Sequence, residues 1–345
     1  MELNFRSDNE TPAAPAVMEA IEAANSGSAH AYAEDQWSMR LDEAFSERFE
    51  TDVCVIPMAT GTVCNAIALA CVSPPWGSVF CHRSAHIYND ESGAPEFFGN
   101  GLRLVPVEGN DGKLPRRALE AAIVSSEGHG VHSYVPAAVN ITQSTESGTV
   151  YQADEIAAIC EVAKAHEIPV HLDGARFANA VASTGESPAD LSWRAGVSLM
   201  SFGASKNGCM AAEALLLFDC HNLQEKAERL RKRSGHLLSK MRYVSAQLLA
   251  CLDDDLWLAL AGHANGQAAK FAAAVEAHQS ANLEFPVQAN EVFVRWTQKG
   301  FETLEEAGVQ FLMWPGRNDL ARFVFAHSTI EKATEKLCKA ILEIE

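Results

Sequence analysis

No stretch of this 345-residue chain is apolar over the roughly 18 residues that a membrane-spanning helix needs. The best run, Ala66 to Val72, is stopped by Ser73-Pro74-Pro75, so a membrane partner is not expected. Positive charge is scarce: 27 Lys and Arg stand against 45 Asp and Glu, for a net charge of −18. That balance argues against a nucleic-acid backbone or an anionic membrane surface, although a local arginine cluster can still hold an anionic substrate. Cysteine pairing is also missing. The nine cysteines are odd in number, contain no C-x-x-C, and lie mostly inside apolar runs, which predicts reduced core residues of a cytoplasmic protein and no metal site. The N-terminus has neither a basic nor an apolar leader region, so no signal peptide is expected. No G-x-G-x-x-G follows the first strand and no G-x-x-x-x-G-K-[ST] occurs, which argues against dinucleotide and P-loop sites. No internal repeat or low-complexity tract appears.

What remains is a chain with 48% apolar and 21% charged residues, long enough for a large domain and a smaller one. Short apolar runs alternate with helix-periodic segments. Strands are predicted at 53–58, 79–82, 101–107, 135–142, 168–172, 197–202 and 213–218, the last read as the final strand of the sheet. Helices are predicted at 15–25, 39–49, 63–72, 115–125, 155–166 (capped by Asp154) and 222–250. This succession predicts an α/β fold with a mostly parallel, doubly wound sheet over residues 1–252. From 253 the pattern changes to an alanine-rich helix, strands at 285–294, 311–314 and 321–325, and helices at 300–308 and 329–344, a small α+β domain spanning 253–345.

In open α/β sheets, ligands bind beyond the carboxyl ends of the strands. Asp173 follows the strand ending in His171-Leu172, and Lys206 follows the one ending in Phe202-Gly203. A lysine held among small residues there is a candidate for Schiff-base chemistry, and an ionised aspartate can pair with a protonated pyridine nitrogen. The turn Thr60-Gly61-Thr62 sits between a strand and a helix, where orphan amides and the helix dipole favour a phosphate; Asn65 lies one turn further in. His86 follows another strand and can stack on a pyridine ring or relay protons, with His82 as a nearby competitor. Gln143, Ser144 and Thr145 end a further strand. Arg322 is a charge among apolar neighbours, as expected of a residue that faces a cleft or has an acid partner. Arg317, in a polar turn, is its competitor.

Taken in order, Arg6-Ser7-Asp8-Asn9, Ala31-Tyr32-Ala33-Glu34-Asp35, Thr60-Gly61-Thr62, His86 to Gly93, His171 to Arg176 and Ser205-Lys206 resemble the threonine aldolase family of fold-type-I, pyridoxal-phosphate-dependent lyases, over nearly the whole chain. The Lys206-Asn207-Gly208 motif is similar to that of the bacterial low-specificity subgroup. The resemblance implies an aspartate aminotransferase-like fold and retro-aldol cleavage of threonine, allo-threonine and related β-hydroxy-α-amino acids to glycine and an aldehyde. It implies pyridoxal 5′-phosphate on Lys206, with Thr60, Gly61, Thr62, His86, Asp173 and Arg176 around it. Ser7, Arg176 and Arg322 are implied to bind the substrate carboxylate, and His86 or His132 to act as base. His129 does not align. Glu91 is implied near the substrate, where it orients His86 or holds a water, or else is a surface acid. Tyr32 is implied to reach a neighbouring subunit's site, in a homodimer or homotetramer with shared sites. Lys232, Lys240 and Arg242 are unranked candidates for lending a cation to the partner's phosphate. Alternatives within the same chemistry are a phenylserine-type aldolase or a β-eliminating lyase; outside it, a nucleotide-binding α/β protein with a structural Lys206.

Overall fold

The computed structural model describes residues 3–128, 130–218 and 221–344; Cys220, expected in the core, and His129 lie outside them. After a two-residue strand, β1 (Leu3–Asn4), the main sheet comprises β2 (Cys54–Met58), β3 (Gly77–His82), β4 (Arg103–Val107), β5 (Val135–Thr142), β6 (Val170–Gly174), β7 (Leu199–Gly203) and β8 (Glu213–Leu217). Their spatial order is β2-β8-β7-β6-β5-β3-β4. Only β8 runs antiparallel to its neighbours, β2 and β7. As expected, it is the last strand of this sheet in sequence; in space it lies one strand in from the β2 edge. This inversion brings the first residue of β8, Glu213, to the same sheet edge as the last residues of the others.

Strand residues are apolar on both faces because helices cover both. On one face, Leu172, Met200, Phe202 and Leu216 join a core with residues of α1 (Pro15–Ala24), α2 (Leu41–Phe49), α6 (Arg116–Ser126), α7 (Ala153–Ala165), α8 (Phe177–Thr184) and α10 (Arg242–Leu252). On the other, Ile56, Leu199, Leu215 and Leu217 pack on α3 (Gly61–Val72) and α9 (Gln224–Arg233). Two short helices, α4 (His86–Asn89) and α5 (Ala94–Phe98), sit beside α3.

Beyond α10, α11 (Leu256–Ala277) begins in the first core at Trp257 and ends in a second one at Phe271 and Val275. The second core lies under an antiparallel sheet ordered β12-β13-β10-β9, built from β9 (Asn282–Leu283), β10 (Glu291–Arg295), β12 (Leu312–Met313) and β13 (Leu320–Val324). It is completed by α12 (Gln298–Glu306) and α13 (Glu331–Glu343). The N-terminal arm joins this side: β1 pairs with β11 (Val309–Gln310), and Phe5 is buried against Phe325.

Three local expectations are corrected. Residues 285–290 are not strand: Gln288 accepts the Val150 amide and Asn290 donates to Asp8, so side-chain bonds to distant segments replace a ladder. The single helix expected over 222–250 is two, separated near Gly235, whose φ of +82° a right-handed helix does not allow. Gln152, not Asp154, caps α7, in a reciprocal capping box with Glu155.

Candidate active site

Five strand ends and the start of β8 converge on one pocket. It is lined by Thr60, Gly61 and Thr62 after β2, His86 and Glu91 after β3, Thr142, Ser144 and Glu146 at the end of β5, Asp173 near the end of β6 and Arg176 after it, Lys206 after β7, and Glu213. The β6 and β7 turns touch because Gly203 has no side chain. A Cβ there would sit 2.6–2.8 Å from backbone atoms of Ala175. Gly61 is the opposite case: no atom lies within 4 Å of where its Cβ would be, so the start of α3 faces open space. Thr60 is the N-cap residue of α3 but its hydroxyl makes no cap bond, leaving first-turn amides and hydroxyls available to an anion.

Asp173 is buried at the centre. Its Oδ1 accepts the Ala175 amide at 3.1 Å and its Oδ2 accepts from Asn65 at 2.8 Å. Asn65 also donates to Glu91 Oε1 at 2.8 Å, and that oxygen meets His86 Nδ1 at 2.9 Å. Glu91 is buried against His86, so it is not a surface acid. The Glu91 hydrogen bond raises the imidazole's proton affinity against the opposing effect of burial, while burial raises that of Glu91. His82 is bound to Ser84 and the Gly109 carbonyl, a structural role.

Two carboxyls were not singled out in the sequence. Glu146 accepts the His86 amide at 2.7 Å and the Thr142 hydroxyl at 3.0 Å, both on Oε1; its Oε2 is out of solvent and unpartnered. Burial pushes its carboxyl up to about 7. Glu213 is likewise raised to about 7 by burial, near Ser205 and Lys206. An acid opening the otherwise apolar run Ala214-Leu215-Leu216-Leu217 was a legible signal for Glu213. Glu146 lies in a Thr-Glu-Ser-Gly stretch that reads like any surface turn.

Outside the pocket a wider cleft includes Ser7, Glu291, Trp314 and Arg322. Arg176 is tied there by a bidentate pair to Asp8, at 2.7 and 3.0 Å, and approaches Glu291 at 3.4 Å. Arg322 reaches Glu291 at 3.3 Å. Burial opposes the charge on Arg176, but Asp8 and Glu291 outweigh it and hold the guanidinium charged. Ser7 accepts the Asn9 amide at the arm's first turn. Arg317 pairs with Asp319 at the surface.

Two candidates do not join the site within the chain. His132 is corrected: it is exposed before the N-terminal end of β5, whereas the pocket lies at its other end, eight residues or about 26 Å of strand away. Tyr32 is half-exposed outside the pocket, with Lys232 Nζ 4.4 Å from its ring centre. Of the other cations considered, Arg242 donates to the Gly27 carbonyl. Gln143 and Thr145 are structural, holding Tyr151 and Thr149; Ser144 Oγ is buried without a partner.

Comparison with known proteins gives this pocket a lineage. A family model for beta-eliminating lyases matches residues 4–299. The chain is 40% identical over 332 residues to a low specificity L-threonine aldolase of Pseudomonas aeruginosa, covering 96% of this chain and 95% of that one. It is similar to the solved threonine aldolase of Leishmania major, with a TM-score of 0.90, 27% identity and 98% of both chains covered. An aspartate aminotransferase of Rhodobacter sphaeroides shares the fold at a TM-score of 0.73 and 17% identity, over 99% of this chain and 92% of that one. Sequence identity over this length, on this fold, means that the chain belongs to the beta-eliminating lyase family, among the low-specificity threonine aldolases.

Proposed function

We propose that this chain binds pyridoxal 5′-phosphate in the strand-end pocket and cleaves threonine, allo-threonine and related β-hydroxy-α-amino acids to glycine and an aldehyde. The observation that carries this reading is the placement of Asp173 and Lys206 on touching turns of one pocket, opposite the open start of α3. The residues fit the cofactor. Thr60, Gly61 and Thr62 would hold the phosphate, Asp173 the ring nitrogen and Lys206 the aldehyde carbon, while the unpartnered Ser144 Oγ and Asn65 Oδ1 are buried polar atoms that a ligand would satisfy. When bound, the cofactor supplies an electron-withdrawing ring to the carbon next to the substrate's amino group.

The protein's own contribution is positioning and proton handling. Asn65 and the Ala175 amide hold Asp173 in place through two hydrogen bonds. Glu91 fixes the orientation of the His86 imidazole, leaving Nε2 to meet ring or substrate. Arg322 has one acid partner and faces the cleft, so its guanidinium is the carboxylate-binding group that the geometry favours. Arg176 already spends its bidentate face on Asp8, and in this reading it anchors the N-terminal arm and with it Ser7.

The Tyr32–Lys232 pair on the outside of the chain supports a shared site in a homodimer or homotetramer, and His132 serves only if another copy brings it. No helix among the described residues is long and apolar enough to cross a membrane, and the eight described cysteines form no disulfide. Both facts support a cytoplasmic enzyme. The test is the visible absorption of protein reconstituted with pyridoxal phosphate, wild type beside Lys206→Ala, with aldehyde release from threonine. A band in the wild type that the variant lacks, with aldehyde formed only by the wild type, is the expected result. Absence of any band in the wild type defeats the reading.

A further inference from the structure

Five residues line both the inner pocket and the wider cleft: Asn9, His86, Glu146, Arg176 and Lys206. A substrate whose amino group is at Lys206 and whose carboxylate is at Arg322 must place its β-carbon at this mouth. Asn9 is neutral, Arg176 is tied to Asp8, and Lys206 is engaged with the amino group. That leaves His86 and Glu146 as proton acceptors. His86 has Nδ1 committed to Glu91, which leaves only Nε2, the nitrogen that meets ring or substrate in the reading above; its backbone amide is a donor to Glu146.

Glu146 has the opposite arrangement. Oε1 takes two hydrogen bonds that fix the carboxyl, while Oε2 is buried with no partner. A buried, unsatisfied carboxyl oxygen costs on the order of 1–3 kcal/mol, so its retention at a site mouth calls for a use. We propose that Glu146, which lines both the pocket and the cleft, is the general base of the cleavage step, its carboxylate taking the proton from the substrate's β-hydroxyl; the inference rests on the aldolase reading above.

As the hydroxyl proton passes to the Glu146 carboxylate, the O–H electron pair becomes the second bond of the aldehyde carbonyl. The Cα–Cβ bond breaks and its pair stays with Cα, beside which the cofactor, when bound, would supply its electron-withdrawing ring. Cα then takes a proton from water to become glycine, and Glu146 returns its proton to water, so none is consumed. Facing the carboxyl are His86 from α4, Asp173 from β6, Arg176 from the following turn, Cys81 from β3 and Tyr151. Burial first and then the Asp173 charge raise its proton affinity to about 7, a value suited to a base at neutral pH.

The experiment compares holoenzyme of wild type and Glu146→Gln for aldehyde release from threonine and for exchange of the α-hydrogen of glycine in D2O. Glycine exchange needs the cofactor, Asp173 and Lys206 but no hydroxyl proton transfer. The expected result is a cleavage kcat/KM lower by about 10²–10³-fold, with exchange within about threefold of wild type and loss of the acid limb of the pH profile. Cleavage that is unchanged, or an acid limb that persists in Glu146→Gln, overturns the proposal and assigns the base to His86. Equal loss of cleavage and exchange also overturns it, as that makes Glu146 a support for His86. If Glu146→Gln does not fold, Thr142→Val decides: removing one donor to Oε1 should move the acid limb to higher pH, and a stationary limb counts against Glu146. A wild type that shows no glycine exchange rejects the aldolase reading instead.

Discussion

Two sets of carboxyls lie at one site in opposite surroundings. Around the inner pocket, among the described residues, no guanidinium forms an ion pair with Glu91, Glu146 or Glu213, and burial raises all three, the last two to about 7. In the outer cleft, Asp8 and Glu291 meet Arg176 and Arg322. Burial would raise Asp8 too, but the Arg176 guanidinium outweighs it and keeps the carboxyl below its ordinary range. Burial governs the shift of Glu91, Glu146 and Glu213, a guanidinium governs that of Asp8, and the partner decides the direction. Groups that keep protons near neutrality are equipped to move them. The alternating chain of Asp8, Arg176, Glu291 and Arg322 ties the N-terminal arm and the second sheet to the first.

Four experiments would break or sharpen that contrast. The largest effect is expected for Asp173→Asn, which removes the charge held for the ring nitrogen. A buried pair broken on one side costs about 3–5 kcal/mol, so kcat/KM for aldehyde release should fall about 10³-fold. A near-normal rate would move Asp173 to the structural set. Next is Asp8→Ala, which leaves the Arg176 charge with Glu291 alone. Urea denaturation should show a loss of about 3 kcal/mol, and a loss below 1 kcal/mol would mean that the outer pairs do not hold the arm.

The third effect is a slope. Glu146 and Glu213 have folded values near 7, above the ordinary 4.5, so the folded protein binds more protons than the unfolded one between these values. Cofactor-free protein should therefore lose stability as pH rises from 5 to 7, by at most about 1.4 kcal/mol per pH unit for each group. The double variant Glu146→Gln, Glu213→Gln should flatten that slope. Asp8, depressed, has the opposite sign: its contribution is present above the ordinary aspartate range and lost as pH falls through the lowered value. A wild-type slope near zero would remove the distinction between the two sets. The smallest effect is expected for His132→Ala, an exposed residue, at under about 0.5 kcal/mol in stability. A fall in kcat without a fall in stability would indicate a site completed by another copy.

How legible these features were depended on what each residue announces in one dimension. Asp173 and Lys206 stand where an apolar run stops, so a period-two pattern and a strand-end rule locate them. Arg322, a charge among apolar neighbours, was read as needing a cleft or an acid, and it has both. Glu146 announces nothing, since its neighbours in sequence are polar and its carboxyl meets the His86 amide from 60 residues away. His132 shows the converse case: its motif match is plain in the sequence, yet within the chain it lies away from the pocket. A motif match carries no information about which end of a strand its residue occupies.

The sequence by itself determined the alternation of β and α units, the small-residue turns after the strands and the order of the motifs, because periodicity and turn chemistry act between near neighbours. Only the tertiary structure decided which charges meet. The inversion of β8 delivers Glu213 to the site edge, the arm carries Asp8 to Arg176 across 168 residues, and Gly203 lets the two functional turns touch. Ionisation in a buried cleft depends on distances of a few ångströms between segments far apart in sequence, and those distances exist only once the sheet has formed.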